Sequence, residues 1–216
     1  MSKKTKEVFP IQIHIPKKPK LIFPKSLTVP TIAYLSTRGL SSVPPTPAIC
    51  TAVKRGKEIL KHFGGGNETC YRKALKIKQG KELHTILITG TPDRINRTDD
   101  KITSVTELRT FSSSSSRSKE NAINLSITRI CLYLWLIGIP ELKGKIILFD
   151  ISQLVTTPVE FIEPIIFNTS IASIFKNSVI TALKVYTIKK KAEKKVIPIV
   201  KEYQIKIKKS DTFKSI

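Results

Sequence analysis

The segment Ile130-Cys131-Leu132-Tyr133-Leu134-Trp135-Leu136-Ile137 constrains the fold more than any other. It is apolar at every position, so it has no face to give to water. Before it, Ile123, Leu125 and Ile127 alternate with Asn124, Ser126 and Thr128. Together they predict an amphipathic strand running into a strand buried on both sides. The apolar run is about half the ~20 residues a membrane-spanning helix needs. Pro140 and Glu141 end it, so a soluble or peripheral chain is expected. A turn over Gly138–Gly144 leads to a second strand, Lys145 to Phe149, which ends on Asp150.

Other strands are predicted around this core. Leu83 to Gly90 reads as one, followed by the turn signal Thr91-Pro92-Asp93. Ile11, Ile13 and Ile15 alternate with Gln12 and His14 as a short edge strand. Val179 to Ile188 and Val196 to Ile207 read as a hairpin whose loop is the basic run Lys189–Lys195. The clearest helix runs from Pro47 to Phe63: Thr46 can cap it, and Gly64-Gly65-Gly66 stops it. Its Ile49, Ala52, Val53, Gly56, Ile59, Leu60 and Phe63 share a stripe that leaves Lys54, Arg55, Lys57 and Lys61 outside. Such a helix either packs on a core or lies on an anionic surface. A short helix is predicted from Ser170, with Ile171, Ile174, Phe175 and Val179 on one face.

The predicted class is therefore α+β, mainly β with a few helices. Its expected core is a single antiparallel β-sandwich. Residues 1–46 are expected to form an extended, basic, Pro-rich segment, residues 47–207 the β-rich domain, and residues 208–216 a basic tail. Within the domain, residues 91–120 are polar and end in the serine run Ser112–Ser116, so a flexible excursion is expected there. With Arg117, Ser118 and Lys119, that run could instead be a phosphorylation cluster, whose phosphates would lower the net charge.

Charge decides the functional class. The chain carries 38 Lys and Arg against 16 Asp and Glu, a formal charge of +22. A compact state this positive repels itself unless anions are bound, which points to phosphate backbones or an acidic membrane face. Lys dominates over Arg, which favours neutralising a backbone over reading base edges. An AT-rich coding sequence also raises Lys, together with Ile and Asn. From residue 127 to 164, Arg129, Lys143 and Lys145 face Glu141, Asp150, Glu160 and Glu163, so the core is near neutral. The excess lies in the flanks, where no acid occurs between Glu7 and Glu58. In the C-terminal flank, Lys184, Lys189, Lys190, Lys191, Lys194, Lys195, Lys206, Lys208 and Lys209 are the candidate nucleic-acid contacts. Tyr186 and Tyr203 nearby could stack on bases or pack in the core.

Catalytic signatures are not evident. His14, His62 and His84 form no metal pair, and Cys50, Cys70 and Cys131 are odd in number and widely spaced. Neither a metal site nor a cofactor is expected, and the chain is read as a non-enzyme without a small-molecule substrate. Asp150 is a lone carboxylate at a strand end, the usual place for an Asp that accepts turn N–H groups.

The pattern over residues 123–150 resembles the plant-virus cell-to-cell movement proteins. It is an alternating strand (Ile123–Ile127), an apolar strand ending in Gly138-Ile139-Pro140, the turn Lys143-Gly144-Lys145, and Ile146-Ile147-Leu148-Phe149-Asp150. The resemblance covers roughly a seventh of the chain and implies a jelly-roll core with Asp150 as the family's Asp. It also implies sequence-nonspecific binding of single-stranded nucleic acid, with RNA the expected cargo, and transport of a viral genome through plasmodesmata at host cell junctions. Self-association and contact with an anionic membrane are compatible with it. A viral matrix protein bridging nucleocapsid and membrane, or a capsid- or ribosome-type structural protein of the virion, fits the same charge layout.

Overall fold

The computed structural model describes residues 11–38, 47–64, 69–114, 116–152, 158–166 and 168–212. Along the chain come β1 (Ile13–Ile15), β2 (Ser26–Thr28), α1 (Val29–Arg38), α2 (Pro47–Gly64), β3 (Tyr71–Gln79) and β4 (Glu82–Gly90). There follow β5 (Arg94–Thr98), β6 (Lys101–Phe111), α3 (Ser116–Ile137), β7 (Lys143–Asp150), β8 (Pro158–Ile166) and α4 (Thr169–Thr212). The α+β class holds, but helices contain more residues than strands. The strands form two four-stranded sheets, ordered β1-β3-β4-β2 and β5-β6-β7-β8. Both are mixed where an antiparallel sandwich was predicted: β1 and β3, β2 and β4, and β6 and β7 run parallel. No barrel closes among the described residues.

The apolar run explains the difference. Ile130 to Leu136 are all buried, but as the C-terminal half of helix α3 rather than as a strand. A helix that is apolar all round is buried all round. α3 packs against β6 and β7 on one side, and against α1, α4, β3 and β4 elsewhere. It is also the crossover that the parallel pair β6 and β7 needs, since strands running the same way cannot be joined by a tight turn. Gly138 ends it with φ at +69°, its N–H donating to the Leu134 carbonyl. α3 lies so close to β7 that a Cβ on Gly144 would stand 2.1 Å from Ile130 Cγ2.

Three further expectations are corrected. Residues 91–120 are not an excursion: they contain β5, β6 and the start of α3. The predicted hairpin 179–207, with its basic loop, is one helix, α4. Ile171, Phe175, Val179, Ala182, Leu183 and Thr187 are its buried side, a 3.6-residue period that continues past the predicted helix. Asn168 caps it, its Oδ1 accepting the Ile171 N–H at 3.0 Å. The lead segment is also more ordered than expected, since it supplies β1, β2 and α1. Thr46, Gly65 and Gly66 lie outside the described residues. The helix from Pro47, the strand over 83–90 and the edge strand near Ile13 are as predicted.

The molecule is thus layered. One face of the first sheet is covered by helices; α3 lies against one face of the second sheet, and α2 reaches the other through Gly56 and Thr110 on β6. Among the described residues, no helix is long and apolar enough to cross a membrane.

Candidate functional site

Strand β6 is central in its sheet, between β5 and β7. Its residues alternate between the α2 side and the α3 side. Glu107 sits mid-strand on the α3 side and is fully buried, a position that normally holds Val or Ile. Two guanidiniums converge on one of its oxygens. Arg109 Nη2 from the same strand face and Arg129 Nη1 from α3 each stand 2.5 Å from Glu107 Oε1. Both carboxylate oxygens are buried, and the carboxyl also hydrogen-bonds to the side chain of Asp93. Asp93, in the turn between β4 and β5, completes the cluster: its Oδ2 accepts the Leu108 N–H at 2.9 Å, which brings its carboxyl beside that of Glu107.

One helical turn on from Arg129, Tyr133 fixes this geometry. Arg129 Nη2 donates to Tyr133 Oη at 3.2 Å, and Tyr133 Oη donates to the Thr91 carbonyl at 2.9 Å. α3 and the Thr91–Asp93 turn are thereby tied together around the carboxylates. Burial pushes the Glu107 carboxyl well above the usual range; the Arg129 charge pulls it back and the Asp93 charge raises it further. The two arginines differ in access: the Arg109 side chain is 21% exposed and that of Arg129 9%. Arg109 is therefore the cation that a ligand can reach.

Among the described residues, no three His, Cys, Asp or Glu side chains are close enough to share a metal. Two carboxylates can nevertheless hold magnesium, which keeps several waters and takes its remaining ligands from substrate phosphate. Asp93 and Glu107 are the two carboxyls here that would have to do so, Glu107 being fully buried and ion-paired to Arg109 and Arg129.

Sequence reading missed this site. Its signal was present as an acid and a cation two apart on one strand, Glu107-Leu108-Arg109, fourteen residues after Asp93. Once β6 is taken for a polar excursion, the spacing means nothing. The predicted nucleic-acid contacts lie elsewhere, along α4. Lys184, Lys189, Lys191 and Lys194 are exposed there. Lys190 pairs with Glu193 at 2.8 Å and lies 5.8 Å from the Tyr186 ring. The side chains of Lys195, Tyr203, Lys206, Lys208 and Lys209 lie outside those described. The helix presents the described lysines around its axis, with Lys184 and Lys191 on one face, and not as the loop of a hairpin.

Asp150 has the structural role expected of a strand-end carboxylate. Its Oδ1 accepts the N–H groups of Ser113 (3.1 Å) and Ser152 (2.9 Å) and the Ser152 hydroxyl (2.6 Å). Burial works against its charge, but these donors outweigh it and hold the carboxyl well below the usual carboxylate range. Its stabilising effect is therefore complete above the unfolded Asp pKa of about 3.9 and is lost only as pH falls through the depressed folded value. Asp150→Ala is expected to cost about 2–3 kcal/mol at neutral pH, read as a lower urea midpoint, without altering nucleic-acid affinity.

No protein-family model and no curated protein matches the chain. Among solved structures it is similar to the crystal structure of SSO0001, with 17% identity, a TM-score of 0.42, and coverage of 74% of this chain and 78% of that one. That likeness is too distant to carry an argument about function.

Proposed function

We propose that this protein binds nucleic-acid strands through their phosphates and hydrolyses the phosphodiester bond at Asp93, Glu107 and Arg109, with a divalent cation shared by the two carboxylates. The observation that carries the reading is the Glu107 carboxyl, fully buried between two guanidiniums and hydrogen-bonded to the second carboxyl, Asp93. A buried charge cluster is a poor way to stabilise a sheet, since apolar side chains of similar volume usually do as well or better. A buried carboxyl with strongly shifted proton affinity beside a second carboxyl is a candidate site of chemistry.

The roles follow from position. Asp93 and Glu107 would hold the cation, which supplies Lewis-acid activation of the scissile phosphate. Arg109, the accessible guanidinium, would neutralise charge developing on the phosphate oxygens as water adds to phosphorus and the P–O bond to the departing nucleoside oxygen breaks. Arg129, held by Tyr133, would fix the orientation of Glu107. The net charge of +22 supplies the sequence-independent attraction to the substrate.

This departs from the expectation of a non-enzymatic binder. The transport resemblance rested on an alternating strand, an apolar strand and Ile146–Asp150; the first two lie in helix α3, and charge and Asp150 remain in its favour. The deciding experiment incubates the protein with end-labelled single-stranded DNA and RNA in magnesium, manganese or EDTA. Cleavage with metal and intact strands in EDTA are expected. Strands that are bound but uncut in either metal would overturn hydrolysis and return the protein to transport or packaging.

A further inference from the structure

Among the described residues, the first sheet, β1-β3-β4-β2, has helices on one face only. The opposite face is open, and the strand registers give its composition row by row. His14 on β1, Lys78 on β3 and Leu83 on β4 form one row; Lys76 and Thr85 form the next. Ala74, Leu87 and Ser26 on β2 follow, and then Arg72, Thr89 and Thr28. All are exposed except Thr89, which is half-buried.

No carboxylate stands in any of these rows. Arg72, Lys76 and Lys78 form a line along β3, and at about 3.4 Å per residue it runs for roughly 20 Å. An ordinary solvated sheet face mixes signs, because unpaired like charges on one face repel. Here the nearby connections add more of the same sign. Lys17 packs against the β3–β4 turn at Gly80, and the Lys25 carbonyl accepts the Leu87 N–H at the β2 edge. The rest of the face is mostly hydroxyl: Ser26, Thr28, Thr85 and Thr89 can all donate to phosphate oxygens.

We propose that this open face is the track on which the sugar–phosphate backbone of a single nucleic-acid strand lies. The inference rests on the nucleic-acid reading above and adds where the strand is held. Charge complementarity selects the occupant. A membrane-binding face needs bulky anchors such as Trp or Phe beside its lysines. This one has none, and Leu83 and Leu87 stand in rows otherwise made of small, hydroxyl or basic residues. The face has no Trp, Tyr or Phe, and its one aromatic ring is the His14 imidazole at its edge, so base stacking contributes little and binding there is indifferent to sequence.

The test compares two triple variants of the full-length protein, each losing three positive charges: Arg72→Gln/Lys76→Gln/Lys78→Gln on the sheet, and Lys54→Gln/Lys57→Gln/Lys61→Gln on α2. Affinity for a fluorescent single strand is measured in EDTA over a range of salt. The sheet variant is expected to bind roughly ten- to a hundredfold more weakly at 0.1 M salt and to lose about 2 from the slope of log K against log salt, about 0.7 per phosphate contact. The α2 variant is expected to keep most of the slope. Equal losses in both would make the effect one of net charge and overturn the track, as would an unchanged sheet variant. So would a sheet variant that loses only its binding to phosphatidylserine vesicles. Metal-dependent cleavage by the sheet variant at saturating protein separates the two readings. If it persists while the slope is unchanged, the catalytic proposal stands and the track falls.

Discussion

Asp93→Asn is expected to lose roughly 10²–10³-fold in metal-dependent cleavage while binding single strands at least as tightly as the parent. Removing one carboxylate takes away a cation ligand but also a negative charge from the path of the phosphate, so affinity should not fall. The pH profile distinguishes this from a folding defect. Burial and the Asp93 charge hold the proton on Glu107 above the usual Glu range, against the pull of Arg129. A cation must displace that proton, so metal affinity in the parent should rise with pH above the ordinary Glu value of about 4.3. In Asp93→Asn the repulsion is gone, and the rise should move to lower pH although the maximal rate has collapsed. Manganese titration by calorimetry at several pH values reads the shift directly. A variant with parental cleavage would remove Asp93 from the site.

The site was hidden for the same reason that parts of the fold were. An apolar run such as Ile130–Ile137 satisfies both a strand covered on two faces and a helix enclosed on all sides, and periodicity cannot choose between them. What could have chosen was length. The helical register extends upstream through Ala122 and Ser126, both buried, well before the apolar run begins. In α4 the register was visible from Ile171 to Val179 and simply continues through Ala182, Leu183 and Thr187; the valines and isoleucines there suggested a strand they do not form. β6 was lost for the opposite reason. Its buried Ser104, Thr106 and Glu107 are polar residues at interior positions, and a pattern built on apolar residues reads such a strand as a loop. Sequence logic fails where a site displaces core residues, and β6 carries that site. Charge, by contrast, was legible throughout, because it depends on composition alone, although its layout on an open sheet face was not.

The second large effect concerns stability. Arg129→Met is expected to cost about 3–5 kcal/mol, because it leaves a buried carboxylate short of a partner. For a chain of this size that is a fall in Tm of roughly 6–20 °C. Replacing both partners, as in Glu107→Met/Arg129→Met, should recover much of the loss, since the double variant buries neither charge and Arg109 can turn its guanidinium toward solvent. The loss should also depend on pH. A carboxyl whose folded pKa is raised favours the folded state most below its unfolded value, and that advantage declines as pH rises through the folded one. Taking away Arg129 raises the Glu107 pKa further, because its attraction is one of the effects holding the value down. The single variant should therefore be less destabilised at pH 5, where the neutral carboxyl is favoured, than at pH 8, where ionisation is favoured more and the missing partner costs more. Thermal melts of the parent, single and double variants at both pH values measure the coupling between Glu107 and Arg129. A single variant that melts with the parent at pH 8 would mean that Arg109 alone satisfies the carboxylate, and that Arg129 is held by Tyr133 for some purpose other than charge.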